Sequence, residues 1–262
     1  MNRIDKKFQE LEGRKALITF ITAGDPSLEM SEKIVLEMQA GGVDLIELGV
    51  PFSDPAADGP VIQQADMRAL GQGVDIFKVF DFVKKIRDKV EVPLVFLLYY
   101  NVVLQYGVDA FFQMCAQVGI DGVIIPDLPY EESGEIAEAT QRYGVYQILL
   151  VAPTSQERMK AIAEHAKGFL YCVSSLGVTG MKDSFDTDFS QFFSKIKQYT
   201  DVPCCVGFGI SGKEQVKMLK QYADGVIVGS AIVDAIAKGN TESEKLENLR
   251  EKVKELREGL AE

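Results

Sequence analysis

The chain has one histidine, His165, and no tryptophan. A histidine-based zinc cage and a class II aldolase-type metal site therefore both lack ligands. A Ser-His-Asp triad would have to use that one residue. It sits in the polar run at 161–167 (AIAEHAK), which reads as a surface position at the end of a helix. The four cysteines, Cys115, Cys172, Cys204 and Cys205, show no CxxC spacing, which fits a reducing cytosol. No apolar run approaches the ~18 residues that a membrane span requires, and the opening MNRIDKKFQELEG lacks a secretory apolar region, so a cytoplasmic protein is expected. Positive charge is also short: 28 Lys+Arg face 39 Asp+Glu, a formal net charge of −11. That balance counts against a binder of nucleic-acid backbones, which needs a basic footprint. Small anionic ligands stay open, because backbone amides and helix N-termini hold phosphate without side-chain charge.

What the chain has is an alternation. Short β-rich runs stand at 16–22 (ALITFIT), 45–48 (LIEL), 94–100 (LVFLLYY), 122–125 (GVII), 146–151 (YQILLV), 169–173 (FLYCV), 203–206 (PCCV) and 225–228 (GVIV). Segments of helical periodicity lie between them, a pattern that predicts a parallel α/β architecture. Eight strands alternating with about eight helices in 262 residues is the size of a closed barrel, so residues 1–262 are expected to form one α/β domain, a (β/α)₈ TIM barrel with extra helices. An open doubly wound sheet is the second reading, but the first strand is followed by AGDPS and not by a GxGxxG turn. The charged segment at 242–260 reads as a closing helix on the barrel's outside.

In a barrel the chemistry belongs where strands end. Glu47 is a carboxylate inside an apolar strand, where burial disfavours its charged form, and Asp54 and Asp58 follow in the next loop. Two carboxylates in unlike environments suit general acid/base work. The turns Gly207-Phe-Gly-Ile-Ser211 and Gly229-Ser-Ala231 follow the last two strands, the place where barrels often hold phosphate. The segment at 174–185, with Gly177 and Gly180, suits a lid. Asp127, Tyr99 and Asn101 add polar groups at the same face, each read as a helix cap or turn residue. No lysine lies inside a predicted strand, so a Schiff-base aldolase lacks its nucleophile and carbon–carbon cleavage would rest on the carboxylates.

The runs at 20–26 (FITAGDP), 44–63 (DLIELGVPFSDPAADGPVIQ), 122–133 (GVIIPDLPYEES), 171–180 (YCVSSLGVTG), 206–211 (VGFGIS) and 225–233 (GVIVGSAIV) closely resemble the tryptophan synthase alpha chain family. That resemblance implies cleavage of indole-3-glycerol phosphate to indole and glyceraldehyde 3-phosphate. It implies Glu47 as the acid/base at indole carbon 3 and Asp58 as the partner of the indole N–H. Tyr171 would lie beside the glycerol phosphate chain, and Thr179 would close the lid toward Asp58. Phe20, Leu97 and Leu128 would wall the indole pocket, while Gly180, Gly209, Gly229 and Ser230 would hold the phosphate. It further implies an α₂β₂ complex with a beta chain that carries pyridoxal phosphate, this chain having no cofactor or metal, with the loop at 51–60, including Pro51 and Asp54, at the contact.

Other readings are a sugar-phosphate epimerase or isomerase on the same fold, a non-catalytic regulatory subunit, and a stand-alone lyase that releases free indole. The first needs metal-binding histidines or a Lys/His pair, which the chain lacks. The second has no use for a buried carboxylate.

Overall fold

Nine strands, all parallel, form one sheet in a computed structural model that describes residues 1–155, 157–174, 188–207 and 209–261. They are β1 (Ala16–Thr22), β2 (Leu45–Gly49), β3 (Leu94–Leu97), β4 (Gly122–Ile124), β5 (Tyr146–Gln147), β6 (Leu150–Val151), β7 (Leu170–Val173), β8 (Cys204–Gly207) and β9 (Gly225–Val228). The order is β5-β4-β3-β2-β1-β9-β8-β7-β6. β5 and β6, at the two ends of that order, are halves of the single run expected at 146–151. The first half pairs with β4 and the second with β7. Between them the Ile148 N–H donates to the Val123 carbonyl at 2.8 Å and the Leu149 carbonyl accepts the Tyr171 N–H at 3.0 Å. One stave thus changes partner midway and closes the barrel, which is why eight runs in the sequence appear as nine strands.

The expected run at 94–100 is shorter as a strand, because Tyr100 already opens the helix Tyr100–Tyr106. Asp127 sets that boundary by accepting the Tyr100 N–H on Oδ1 at 2.9 Å, a capping role that supplies a partner to an otherwise orphaned amide.

The period-2 alternation of each strand divides the apolar residues between two layers. Ile18, Leu45, Val95, Ile124, Ile148, Phe169, Cys205 and Ile227 fill the barrel interior. Leu17, Ile46, Phe96, Val123, Cys172 and Val226 belong to the larger core shared with the helices. At the strands' N-terminal end the helix Arg3–Glu10 plugs the opening with the fully buried Ile4. Asn2 caps that helix by accepting the Ile4 N–H at 2.9 Å and fastens it by donating to the Asp121 carbonyl at 2.8 Å. The C-terminal helix Glu242–Ala261 buries Leu249, Val253 and Leu256, and its Arg257 reaches Asp44 at 2.9 Å. With that mouth plugged, the interior opens among the described residues at the C-terminal end of the strands.

Candidate active site

At that end lies a cleft lined by apolar side chains with a few polar groups among them, the usual make-up of a small-molecule site. Its walls come from both halves of the barrel. Phe20, Glu47 and Leu97 stand at the ends of β1, β2 and β3, while Tyr171, Gly209, Gly229 and Ser230 come from β7 and the turns after β8 and β9. The register explains the first group. Phe20 pairs with Glu47, and Glu47 with Val95, so the carboxyl points inward on the same face as interior residues. Gly49 is required beside them, because a Cβ there would stand 2.5 Å from Phe20 Cζ.

Glu47 is 1% exposed, and its Oε1 has no hydrogen-bond partner among the described residues. Burial pushes its carboxyl up to about 8, because an apolar surround disfavours the anion. It is therefore an acid at neutral pH with a proton to give and a vacancy in its hydrogen bonding. Asp58, on the loop after β2, is also buried, and burial again raises its carboxyl above the ordinary range. Here a counterweight exists: the Tyr99 hydroxyl donates to Oδ2 at 2.8 Å and favours the charged form. The two carboxyls thus sit in unlike surroundings, Asp58 having a donor that favours its anion and Glu47 Oε1 having none among the described residues.

Tyr99 was readable in the sequence only as a turn residue. In the fold it packs against Phe52 with ring centroids 5.1 Å apart, and its hydroxyl also accepts the Ala57 N–H at 2.9 Å. Asp66, on the helix Pro60–Gly71, is a second residue that the sequence did not single out. It is buried behind Asp58 and accepts the Thr22 hydroxyl at 3.1 Å. Its signal in the sequence is weak, since QQADMRA reads as an ordinary helical face.

The opposite wall carries the backbone donors. Gly209 has φ +79°, in the region that favours glycine. Ser230 begins the helix Ser230–Ala237, whose first two amides, at Ser230 and Ala231, precede the first bond back to the Gly229 carbonyl, made by Ile232 at 2.9 Å. Tyr171 is buried between these walls, with both Glu47 and Asp58 acting electrostatically on its hydroxyl. Its ring lies over Gly207, where a Cβ would stand 2.7 Å from Cζ.

Of the expected site residues, Phe20, Glu47, Asp58, Leu97, Tyr171, Gly209, Gly229 and Ser230 come together in this one cleft. Leu128 is buried in the core shared with the helices and does not line it; Ile124, Pro126 and Leu150 do. Thr179 and Gly180 lie outside the described residues. Asp54 is exposed on the loop and accepts the Ser53 hydroxyl at 2.5 Å, whereas Pro51 is buried beneath it. His165 is exposed at the end of the helix Met159–Glu164, as its polar run suggested.

The family model described as tryptophan synthase alpha chain matches residues 7–261. The tryptophan synthase alpha chain of Thermoanaerobacter sp. (strain X514) is 53% identical over 262 residues, covering 99% of this chain and 100% of the relative. Among solved structures, Mycobacterium tuberculosis tryptophan synthase superposes with a TM-score of 0.90 at 36% identity, covering 99% of this chain and 98% of the other. The alpha subunit from Legionella pneumophila gives 0.89 at 36% identity, covering 100% and 99%. The barrel, the cleft and the likeness along its whole length agree: the chain belongs to the tryptophan synthase alpha chain family.

Proposed function

We propose that the cleft cleaves indole-3-glycerol phosphate to indole and glyceraldehyde 3-phosphate, with Glu47 and Asp58 as its catalytic residues. The alpha chain of the family is a carbon–carbon lyase, and the observation that carries the assignment of roles is the buried Glu47 carboxyl with its unpartnered Oε1 facing the same cleft as Asp58.

The bond between indole carbon 3 and the glycerol carbon breaks only when the ring can accept the electron pair. Glu47 supplies a proton to carbon 3, which leaves positive charge on the indole nitrogen. The Asp58 carboxylate, steadied by Tyr99, stabilises that charge through the indole N–H. Loss of the hydroxyl proton from the adjacent glycerol carbon forms the aldehyde carbonyl. As that carbonyl forms, the carbon–carbon pair passes back to the ring, and the neutral indole keeps the added proton. One proton enters at carbon 3 and one leaves the hydroxyl, so a carboxyl that titrates near neutrality can serve both steps.

Phe20 and Leu97 form apolar wall for the indole, with Tyr171 beside the glycerol chain. The amides at Gly209, Gly229 and Ser230 hold the phosphate, completed by Gly180, and Thr179 closes the site toward Asp58. The whole chain acts as one domain in the cytoplasm and carries no cofactor of its own. Its partner is a tryptophan synthase beta chain, which holds pyridoxal phosphate and receives the indole in an α₂β₂ complex. The exposed Asp54 and the Pro51 beneath it shape the contact.

The test is indole release from indole-3-glycerol phosphate by the purified chain, with and without a beta chain. Slow release that rises strongly with the partner is expected. Fast release alone would mark a free-standing lyase, and none in either condition would overturn the assignment.

A further inference from the structure

Asp58 sits on a loop, yet the developing charge on the indole nitrogen needs a carboxylate at a fixed place. The helix Pro60–Gly71 that follows this loop is fastened to the end of β1 twice. Arg68 Nε and Nη2 donate to Asp25 Oδ1 and Oδ2 at 2.7 and 2.8 Å, a bidentate pair. Two residues earlier, the Asp66 carboxyl accepts the Thr22 hydroxyl at 3.1 Å, and the backbone amide of Phe52 acts on it to favour its charged form. Phe52 stacks on Tyr99, and Tyr99 donates to Asp58. A contiguous set of contacts thus runs from a barrel strand through Asp66 to the catalytic carboxylate.

The electrostatics give Asp66 an unusual state. The charged and titratable groups around it are Asp58, Asp25, Tyr99 and Arg68, and the guanidinium of Arg68 is engaged on Asp25. Burial, Asp58 and Asp25 together push its carboxyl up to about 7, against the pull of the Thr22 hydroxyl and the Phe52 amide. With Asp58 ionised, Asp66 is mostly neutral below that pH, so it can anchor the loop without placing a second full charge behind the first.

We propose that Asp66 is a positioning residue for Asp58, tying the loop after β2 to Thr22 of β1 and, through Phe52 and Tyr99, fixing where the Asp58 carboxylate stands. This rests on the role given to Asp58 above. Asparagine at this position keeps a polar group on the Thr22 hydroxyl, which can donate to Oδ1 or accept from the amide N–H, and keeps an oxygen available toward the Phe52 amide. Alanine can do neither.

Asp66→Asn, Asp66→Ala and Thr22→Val are to be compared in the complex with a beta chain. Asp66→Ala is expected to lower kcat for indole formation at least about tenfold with KM changed less than about threefold, since misplacement acts on the transition state. Asp66→Asn should restore most of that loss, and Thr22→Val, which deletes only the hydroxyl, should lower kcat in the same direction should the alanine variant not fold. Wild-type kcat in Asp66→Ala, or equal damage from asparagine and alanine, would overturn the proposal. A readout independent of turnover is the carboxyl titration of Asp58 by ¹³C NMR on aspartate-labelled protein: it should move upward in Asp66→Ala as the Tyr99 hydrogen bond loosens and stay near the wild-type position in Asp66→Asn. An unmoved Asp58 in the alanine variant would also overturn it. If the wild type released no indole while Asp58 responded as described, the assigned reaction would fail and the tether would stand.

Discussion

The Tyr99 hydroxyl bridges two consecutive residues, donating to Asp58 Oδ2 at 2.8 Å while it accepts the Ala57 N–H at 2.9 Å. A single oxygen from the end of β3 therefore fixes both the backbone and the carboxylate of the loop after β2. Tyr99→Phe keeps the ring on Phe52 and removes that oxygen. Its kcat for indole formation should fall about 10- to 100-fold, since a displaced or misprotonated Asp58 no longer faces the indole nitrogen. Steady-state kinetics decide the matter, and a variant within about twofold of wild type would show that Asp58 needs no such support.

Glu47→Gln preserves shape and removes the transferable proton. Indole release should drop at least about 10²-fold, the usual worth of a positioned acid or base. Binding of glycerol 3-phosphate, followed by calorimetry, should stay within about twofold, because the late glycine turns are untouched. Turnover above about a tenth of wild type would remove Glu47 from the mechanism.

Stability should fall as pH rises through the neutral range. The folded chain keeps the Glu47 proton up to about 8, whereas an unfolded glutamate releases it near its ordinary value of 4.5. Between those values the folded state binds more protons than the unfolded one, so unfolding is progressively favoured and the effect levels off above the upper value. Asp66, raised from 3.8 to about 7, acts in the same direction over a similar window. At ~1.4 kcal/mol per pK unit, the penalty from Glu47 amounts to a few kcal/mol. Urea unfolding at pH 5 and pH 8.5 should therefore show a smaller loss for Glu47→Gln than for the wild type. Equal losses would mean that the fold does not hold this proton.

Gly49→Ala tests the close approach that shapes the indole end of the cleft. The new methyl would meet Phe20 Cζ and Cε2 at 2.5 and 2.7 Å, so the ring must move. Overpacking of this kind costs about 1–3 kcal/mol. A lowered Tm together with a KM raised more than kcat is lowered is the expected pattern in thermal melts and kinetics.

Much of this was legible before the fold was known, for local reasons. Glu47 stood out because a lone carboxylate in an apolar parallel strand has few innocent explanations, and the glycine turns after β8 and β9 because their place in the strand count gave them meaning. Tyr99 and Asp66 did not stand out. Their roles rest on partners 41 and 44 residues away, and an aspartate on a polar helical face carries no mark of its burial. The split of 146–151 into β5 and β6 was equally hidden, since hydrophobicity reports that a stave is buried but not which neighbour it pairs with at each residue. Leu128 is a pocket wall only by the family resemblance; in the fold it is buried in the core shared with the helices.

That midway change of partner divides the molecule into two arcs joined along two seams, β1 with β9 and β4 with β7 through 146–151. Glu47, Asp58, Tyr99 and Asp66 all belong to the first arc, whereas Gly209, Gly229 and Ser230 belong to the second. The proposed reacting groups and the proposed phosphate anchors are thus carried by different arcs, which pack together beside the cleft through Phe20, Ile62, Ala65 and Val233. A substrate with a ring at one end and a phosphate at the other would bridge them like a rivet.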